Sequence, residues 1–96
     1  MELQTLRNFI EIADHGSITA AARTLGISQP GLSRQLKDLE KELGVKLLVR
    51  GNRRVTLTED GTYLLNRARE LTAIAERTKN NLQSKHALGG DLYIGA

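Results

Sequence analysis

The 96-residue sequence contains no cysteine and very few aromatic residues. The absence of cysteine excludes disulfides, thiolate metal sites and cysteine nucleophiles. Its aromatic residues are Phe9, Tyr63 and Tyr93, too few for the base-stacking platforms with which proteins bind single-stranded nucleic acids. No apolar run approaches the roughly 20 residues that a membrane helix needs, and there is no recognisable secretory signal. These absences predict a small soluble domain that resides in the cytoplasm and does not bind membranes.

Sequence signals for catalysis and for cofactor binding are missing as well. No glycine-rich phosphate loop opens a helix after a predicted strand, and there is no serine elbow. His15 and His86 lie far apart, and Glu40 and Glu42 are spaced so that they point to different faces of a helix. We therefore predict that the protein is not an enzyme and that this part of its chain holds neither a cofactor nor a metal.

Positive charge is concentrated in the middle of the chain. Residues 23–58 contain eight lysines and arginines against three acidic residues, a net charge of +5, whereas the whole sequence has a net charge of +3. A focused basic region is typical of proteins that bind polyanions such as nucleic acids. Charge alone leaves open the alternative that this region is a solvated basic face.

The spacing of apolar residues predicts three helices in the first half of the chain. They cover residues 3–15, 18–25 and 29–43; a glycine follows each of them, and a serine precedes the second and third as an N-cap. The short second helix, the tight turn at Gly26 and the capped third helix predict a helix-turn-helix. In such a unit the second helix lies in the major groove of DNA with its N-terminal residues at the base edges.

A short β-hairpin is predicted directly after this unit. Residues 45–50 and 53–57 are rich in strand formers, and Gly51-Asn52 is a typical two-residue turn between them. Arginines flank this turn, where they can clamp phosphates or enter a minor groove; keeping a strand edge soluble is the other explanation for them. The hairpin makes residues 1–58 a predicted winged helix-turn-helix domain, mainly α with a two-stranded wing.

Residues 59–85 predict a long fourth helix with Thr58 as its N-cap. Small and apolar residues recur along it at the steps of a coiled-coil seam: Leu64, Ala68, Leu71, Ala75, Thr78 and Leu82. A helix of ~40 Å is too long for the preceding residues to cover, so we predict a homodimer through this seam. Packing against a further domain is the alternative. Residues 86–96 predict a hinge and the truncated first strand of such a domain, so we expect a piece of a longer protein.

Candidate DNA-binding residues follow from the predicted third helix and wing. Gln29 can bond adenine bidentately, and Pro30 can pack on a thymine methyl group. Ser33 can bond a base or a phosphate, and Arg34 can bond guanine or a phosphate. Further basic residues are candidates for phosphate contacts: Arg23, Lys37, Arg50, Arg53 and Arg54.

The order and spacing of five segments resemble the N-terminal part of LysR-type transcriptional regulators. The segments are LQTLRNFIEIA (3–13), GSITAAARTL (16–25), SQPGLSRQL (28–36), LEKELGVKLL (39–48) and RRVTLTEDG (53–61). The sequence departs from the family pattern at Gly31, where a residue with a Cβ is usual, and at Leu48, where phenylalanine is usual. The resemblance implies promoter DNA as the partner, dimers that pair into tetramers, and a small-molecule coinducer that acts through an effector-binding domain missing from this chain.

We therefore predict sequence-specific binding of double-stranded DNA for transcriptional regulation in a bacterium. One alternative is an interaction module in which the long helix is functional and no specific DNA reading occurs. Binding of RNA, or of DNA without sequence preference, is another alternative. The deep and narrow major groove of A-form RNA argues against RNA, because it does not admit a reading helix.

Overall fold

The computed structural model of the chain describes residues 1–89, with side chains described as far as His86. Within these residues it contains four helices and two antiparallel strands, in the order α1 (Leu3–His15), α2 (Ile18–Leu25), α3 (Gln29–Leu43), β1 (Leu48–Arg50), β2 (Val55–Leu57) and α4 (Glu59–Gly89). This confirms the predicted mainly helical fold, a helix-turn-helix with a two-stranded wing and a long last helix. The strand predicted near the C-terminus, at residues 92–96, lies outside the described residues.

Glycines end the first three helices, and serine caps begin the second and third, as the sequence predicted. Ser17 Oγ accepts a hydrogen bond from the backbone N–H of Ala20 (3.0 Å), and Ser28 Oγ accepts one from that of Gly31 (3.1 Å). Each serine thus satisfies an amide that has no partner within its own helix. The three helices end at glycines with φ between 66° and 74°, a left-handed conformation that other residues adopt only with strain.

The apolar faces of α1, α2 and α3 meet in one hydrophobic core. Its largest fully buried side chains are those of Phe9, Leu6, Ile12, Leu32, Leu36 and Leu47. Among the described residues, Asn8 is the polar side chain buried with them. Its Oδ1 accepts a hydrogen bond from Gln4 Nε2 (3.0 Å), and its Nδ2 donates one to Gln35 Oε1 (2.6 Å). Because these partners come from α1 and α3, the bonds fix how α3 is rotated against α1.

The two strands of the wing are shorter than the sequence predicted. Each has three residues, whereas the strand-forming segments predict six and five. The ladder pairs Arg50 with Val55, which leaves residues 51–54 as the connecting loop. The predicted two-residue turn beginning at Gly51 is therefore wrong. The second strand is anchored from outside the hairpin, because the Val55 backbone N–H donates to the Gly16 carbonyl at the end of α1 (3.1 Å).

A carboxylate from α3 explains why the first strand begins late. Glu40 Oε2 accepts hydrogen bonds from the backbone N–H groups of Leu47 (2.7 Å) and Leu48 (3.2 Å). The Glu40 carbonyl also accepts one from the Val45 N–H (3.2 Å). The segment before β1 is thereby bound to α3, and the Leu47 carbonyl accepts a hydrogen bond from the Thr58 N–H just after β2 (3.0 Å).

The first turns of α4 are docked closely onto this core. Thr58 Oγ1 accepts a hydrogen bond from the Gly61 N–H (2.9 Å) and donates one to a backbone carbonyl before β1 (2.6 Å). Gly61 is buried, and a Cβ at this position would overlap the carbonyl of Leu47. Directly after the buried Ala68, Arg69 forms an ion pair with Asp14 at the end of α1 (2.6 Å).

The predicted dimerisation seam on α4 is wrong in its first two positions. Leu64 and Ala68 are 8% and 0% exposed, because the core of the same chain covers them. The seam members from Leu71 onward are half-buried or exposed. α4 also runs to Gly89, so that the first four residues of the predicted hinge are helical. Alanine and leucine at positions 87 and 88 favour helix, and the glycine pair that follows disfavours it.

Candidate nucleic-acid interface

The side of α3 that faces away from the core is polar and open. The leucines of this helix are buried on its opposite side. Pro30, Arg34 and Lys37 are exposed on the open side, and Gln29 is exposed at the helix start, on the flank that faces the wing. An α-helix with its side chains is about 10–12 Å wide and fits the roughly 12 Å major groove of B-DNA.

A polar groove of about 370 Å³ lies between the wing and the N-terminal ends of α2 and α3. The helices contribute Ser17, Ile18, Thr19 and Gln29 to its lining, and the wing contributes residues 50–55. The groove brings Gln29 together with the three wing arginines. Residues that the sequence assigned separately to base reading and to phosphate contact therefore border one surface.

Ser33 and Arg50 are joined directly across the edge of this surface. Arg50 Nη1 donates a hydrogen bond to Ser33 Oγ over 2.8 Å. Ser33 is half-buried on α3, and Arg50 is the last residue of β1. The sequence predicted a DNA contact for each residue but gave no sign of a bond between them.

The basic residues of this region keep their charge free of acidic partners. The acidic side chains that form ion pairs in residues 1–84 pair with other groups: Glu42 with Met1, Glu11 with His15, Glu70 with Arg67, and Asp14 with Arg69. None of the predicted phosphate-contact residues belongs to any of these pairs. An exposed cation without a carboxylate partner attracts a polyanion at the smallest desolvation and rearrangement cost.

The remaining predicted contact residues lie outside the groove beside the wing. Lys37 borders a second groove, of about 420 Å³, together with Lys41 and Lys46. No sequence pattern singles out Lys41 and Lys46, although they belong to the same basic third of the chain. Arg23 is exposed in the last turn of α2 and lines neither groove.

Two further positions were not predicted from the sequence: Glu40, which holds the start of the wing, and Ile74, an exposed apolar residue of α4. No local signal marks Glu40, because its partners are backbone amides seven and eight residues later in the chain. For Ile74 the signal was present, since it lies three residues after Leu71 at helical spacing. The Ile74 side chain is 51% exposed on α4, beside Leu71 at 42%.

Across the residues whose side chains are described, no three histidine or acidic side chains come close enough to hold a metal ion. In the same part of the chain, no helix combines the length and the apolarity needed to cross a membrane.

Comparison with protein families places the helix-turn-helix and the wing in a known group. The family model described as "Bacterial regulatory helix-turn-helix protein, lysR family" matches residues 3–62. The transcriptional regulator ClcR of Pseudomonas putida is 45% identical over 91 residues, which are 93% of this chain and 31% of that protein. The regulator BsdA of Bacillus subtilis strain 168 is 43% identical, over 100% of this chain and 34% of that protein. The chain thus spans about a third of the length of these curated relatives.

Solved structures show the same fold. The protein in the crystal structure of the CbnR_DBD–DNA complex superposes with a TM-score of 0.84 at 39% identity, covering 88% of this chain and 98% of that one. The BenM_DBD/catB site 1 DNA complex gives a TM-score of 0.83 at 39% identity, covering 91% of this chain and 96% of that one. CbnR, described as a LysR family transcriptional regulator, gives a TM-score of 0.82 at 41% identity, covering 95% of this chain and 31% of that one.

Proposed function

Because the chain belongs to the lysR family of bacterial regulatory helix-turn-helix proteins, we propose that it binds specific sequences of double-stranded DNA and thereby regulates transcription. One observation carries this proposal. Gln29 at the start of α3 and the wing arginines border one groove, and the exposed basic residues of α3 and the wing have no acidic partners within the described residues. Two of the similar structures contain the matching domain bound to DNA, which supports the same conclusion.

In this proposal α3 lies in the major groove with its first two turns at the base edges. Gln29 recognises adenine through its amide, and Pro30 packs on a thymine methyl group. Arg34 is exposed one turn later, within reach of guanine or of a phosphate. These residues supply the sequence preference, because major-groove edges distinguish all four base pairs.

Contacts to the phosphate backbone supply most of the affinity and make it depend on salt. The residues proposed for this role are Arg23, Lys37, Arg50, Arg53 and Arg54. The wing arginines lie at the end of β1 and in the connecting loop, beside the start of α3, so they reach the phosphate backbone or the minor groove next to the reading helix.

We further propose that the chain acts as a homodimer through the surface-exposed part of α4. Two-fold dimers present their reading helices to successive major grooves, about 34 Å apart. For the whole protein we propose a dimer of dimers in the cytoplasm and a small-molecule coinducer that binds outside this chain. A catalytic role forms no part of the proposal, since the related proteins are regulators of transcription.

The test is selection of bound sequences from a randomised duplex pool by the 96-residue chain at physiological salt. We expect enrichment of an interrupted inverted repeat. Recovery of no motif, together with binding that disappears as salt rises, would overturn the proposal and leave only non-specific polyanion binding.

A matched pair of variants distinguishes base recognition by α3 from attraction of DNA by the overall positive charge. Arg34→Ala should abolish the enrichment while the dimer remains. Arg77→Ala removes the same charge from an exposed position on α4, far along the chain from the reading helix, and should leave the enrichment unchanged. If the dimer forms but neither wild type nor Arg77→Ala enriches any motif, the alternative of a helical interaction module, based on the exposed Leu71 and Ile74, is favoured.

A further inference from the structure

The hydrogen bond between Ser33 and Arg50 restricts the chemistry that Ser33 can perform. A guanidinium group only donates hydrogen bonds, so the serine oxygen acts as the acceptor and its own proton is directed elsewhere. A charge-assisted bond of this kind withdraws electron density from the oxygen. The hydroxyl becomes a better donor and a poorer acceptor for a second partner.

The geometry points to a positioning role for Arg50 in DNA recognition: we propose that it holds the Ser33 hydroxyl as a hydrogen-bond donor toward an acceptor atom of the duplex. The acceptor is a phosphate oxygen or one of the major-groove acceptors, which are purine N7, guanine O6 and thymine O4. The amino groups of adenine and cytosine are disfavoured at this position, because they need an acceptor. The inference rests on the proposed function and specifies one contact within it.

The wing is anchored so that Arg50 is held in place for this role. Arg50 pairs with Val55 in the strand ladder, and Val55 is bonded to the Gly16 carbonyl. At the other end of the strand, Glu40 holds the Leu48 N–H against α3. The backbone on both sides of Arg50 is therefore fixed relative to the helix that carries Ser33, and the contact exists before DNA binds.

Arg53 provides a matched comparison on the same wing. It is exposed in the connecting loop, and its side chain makes no hydrogen bond to any other residue in the described part of the chain. Arg50 and Arg53 carry the same charge close to the same groove. A purely electrostatic role would make them equivalent, whereas a positioning role distinguishes Arg50.

The experiment is a double-mutant cycle with Ser33→Ala, Arg50→Ala and the double variant. Affinity is measured for the duplex that the wild-type chain selects from the randomised pool, and for random duplex. We expect Ser33→Ala to weaken binding to the selected duplex about tenfold, within the range for one base-edge or phosphate contact. The fold-loss of affinity caused by Arg50→Ala should be about five times smaller in the Ser33→Ala background than in the wild type, because residues in contact are energetically coupled.

Two controls test the specificity of that coupling. Arg53→Ala should cost the same in both backgrounds, because it does not contact Ser33. Arg50→Lys keeps the charge without the planar fork, so it should retain binding to random duplex and lose most of the preference for the selected one. Arg50→Lys also tests the inference if the Arg50→Ala variant fails to fold. The inference would be overturned if the effects of Ser33→Ala and Arg50→Ala on affinity were additive and Arg50→Lys kept its preference for the selected duplex.

Modified duplexes identify the acceptor. Methylphosphonate linkages remove phosphate acceptors, and 7-deazapurines remove N7. Base substitutions in the contacted step remove guanine O6 or thymine O4, and one of these three kinds of change should abolish the difference between wild type and Ser33→Ala. If that difference survives both modifications, and also substitution of the thymines and guanines in the contacted step, Ser33 is not a donor to the duplex. If the wild-type chain selects no motif at all, the proposed function is wrong. If it selects a motif but the mutant cycle is additive, the proposed function stands and only the inference about Arg50 is wrong.

Discussion

Gly61 occupies a position where the fold leaves no room for a side chain. A Cβ at this residue would overlap the carbonyl of Leu47, a backbone group that cannot rotate away. We expect Gly61→Ala to push the start of α4 off the core and to lower the free energy of unfolding by about 1–3 kcal/mol, as overpacking does. Urea denaturation followed by circular dichroism measures this loss.

The control for Gly61→Ala is Asn66→Ala, an exposed position further along the same helix. Its effect on the free energy of unfolding should stay within about 0.5 kcal/mol. Equal stability of the two variants would show that the start of α4 does not pack against the Leu47 carbonyl.

Arg53 lies at the exposed end of the wing and is expected to contact phosphate and not bases. Arg53→Ala should reduce the slope of log affinity against log salt by about 0.9, the value for one released counterion. The relative affinities for different duplex sequences should change little, because no base contact is lost. Titrations at several salt concentrations with selected and random duplexes measure both quantities. A variant with an unchanged slope and a lost sequence preference would contradict the assignment.

At the scale of elements, the position of the wing depends on one carboxylate from α3. Glu40→Ala removes the acceptor for the partly buried N–H groups of Leu47 and Leu48. Loss of an acceptor for such groups costs about 1–3 kcal/mol, and we expect a loss of stability in that range. Hydrogen exchange at these two amides should accelerate more than exchange in the core of α1.

Glu42→Ala is the matched control for that change, since it removes the same group two residues away. The Glu42 carboxylate is half exposed and pairs with the N-terminal ammonium group, whose pKa it raises through a hydrogen bond. Its removal should affect stability less than Glu40→Ala and leave the exchange of the Leu47 and Leu48 amides unchanged. Equal effects of both variants would mean that Glu40 does not hold the wing.

The elements differ in how far the sequence alone could predict them. The bounds of α1, α2 and α3 were predictable because serine caps, terminal glycines and apolar spacing all act within a few residues. The short strands of the wing were not, since Glu40 competes for their backbone from another element. That the candidate residues contact DNA stays a prediction. The bond between Ser33 and Arg50 was not predictable, because it joins positions 17 residues apart and requires the folded wing.

At the scale of the whole molecule, α4 extends well beyond the core that covers its start. The described chain measures 56 × 25 × 19 Å, and most of its length comes from this helix. Leu64 and Ala68 show that the seam begins inside the same chain, while Leu71, Ile74 and Leu82 continue it on the surface. An apolar stripe that leaves the core and continues along one helix is best covered by a second copy, because two-fold pairing buries the same stripe on both chains.

The dimer prediction concerns both assembly and DNA binding. The double variant Leu71→Glu, Ile74→Glu should sediment as a monomer, with unchanged helix content because both positions are exposed and glutamate favours helix. Its affinity for the full inverted repeat should fall to that for a single half-site, since two linked reading helices no longer bind together. Asn80→Glu places one negative charge on the opposite side of α4 from Leu71 and should leave the dimer intact. If the double variant remains dimeric, the dimer interface lies elsewhere. If it is monomeric but keeps full affinity for the inverted repeat, the chain does not bind DNA as a two-fold dimer.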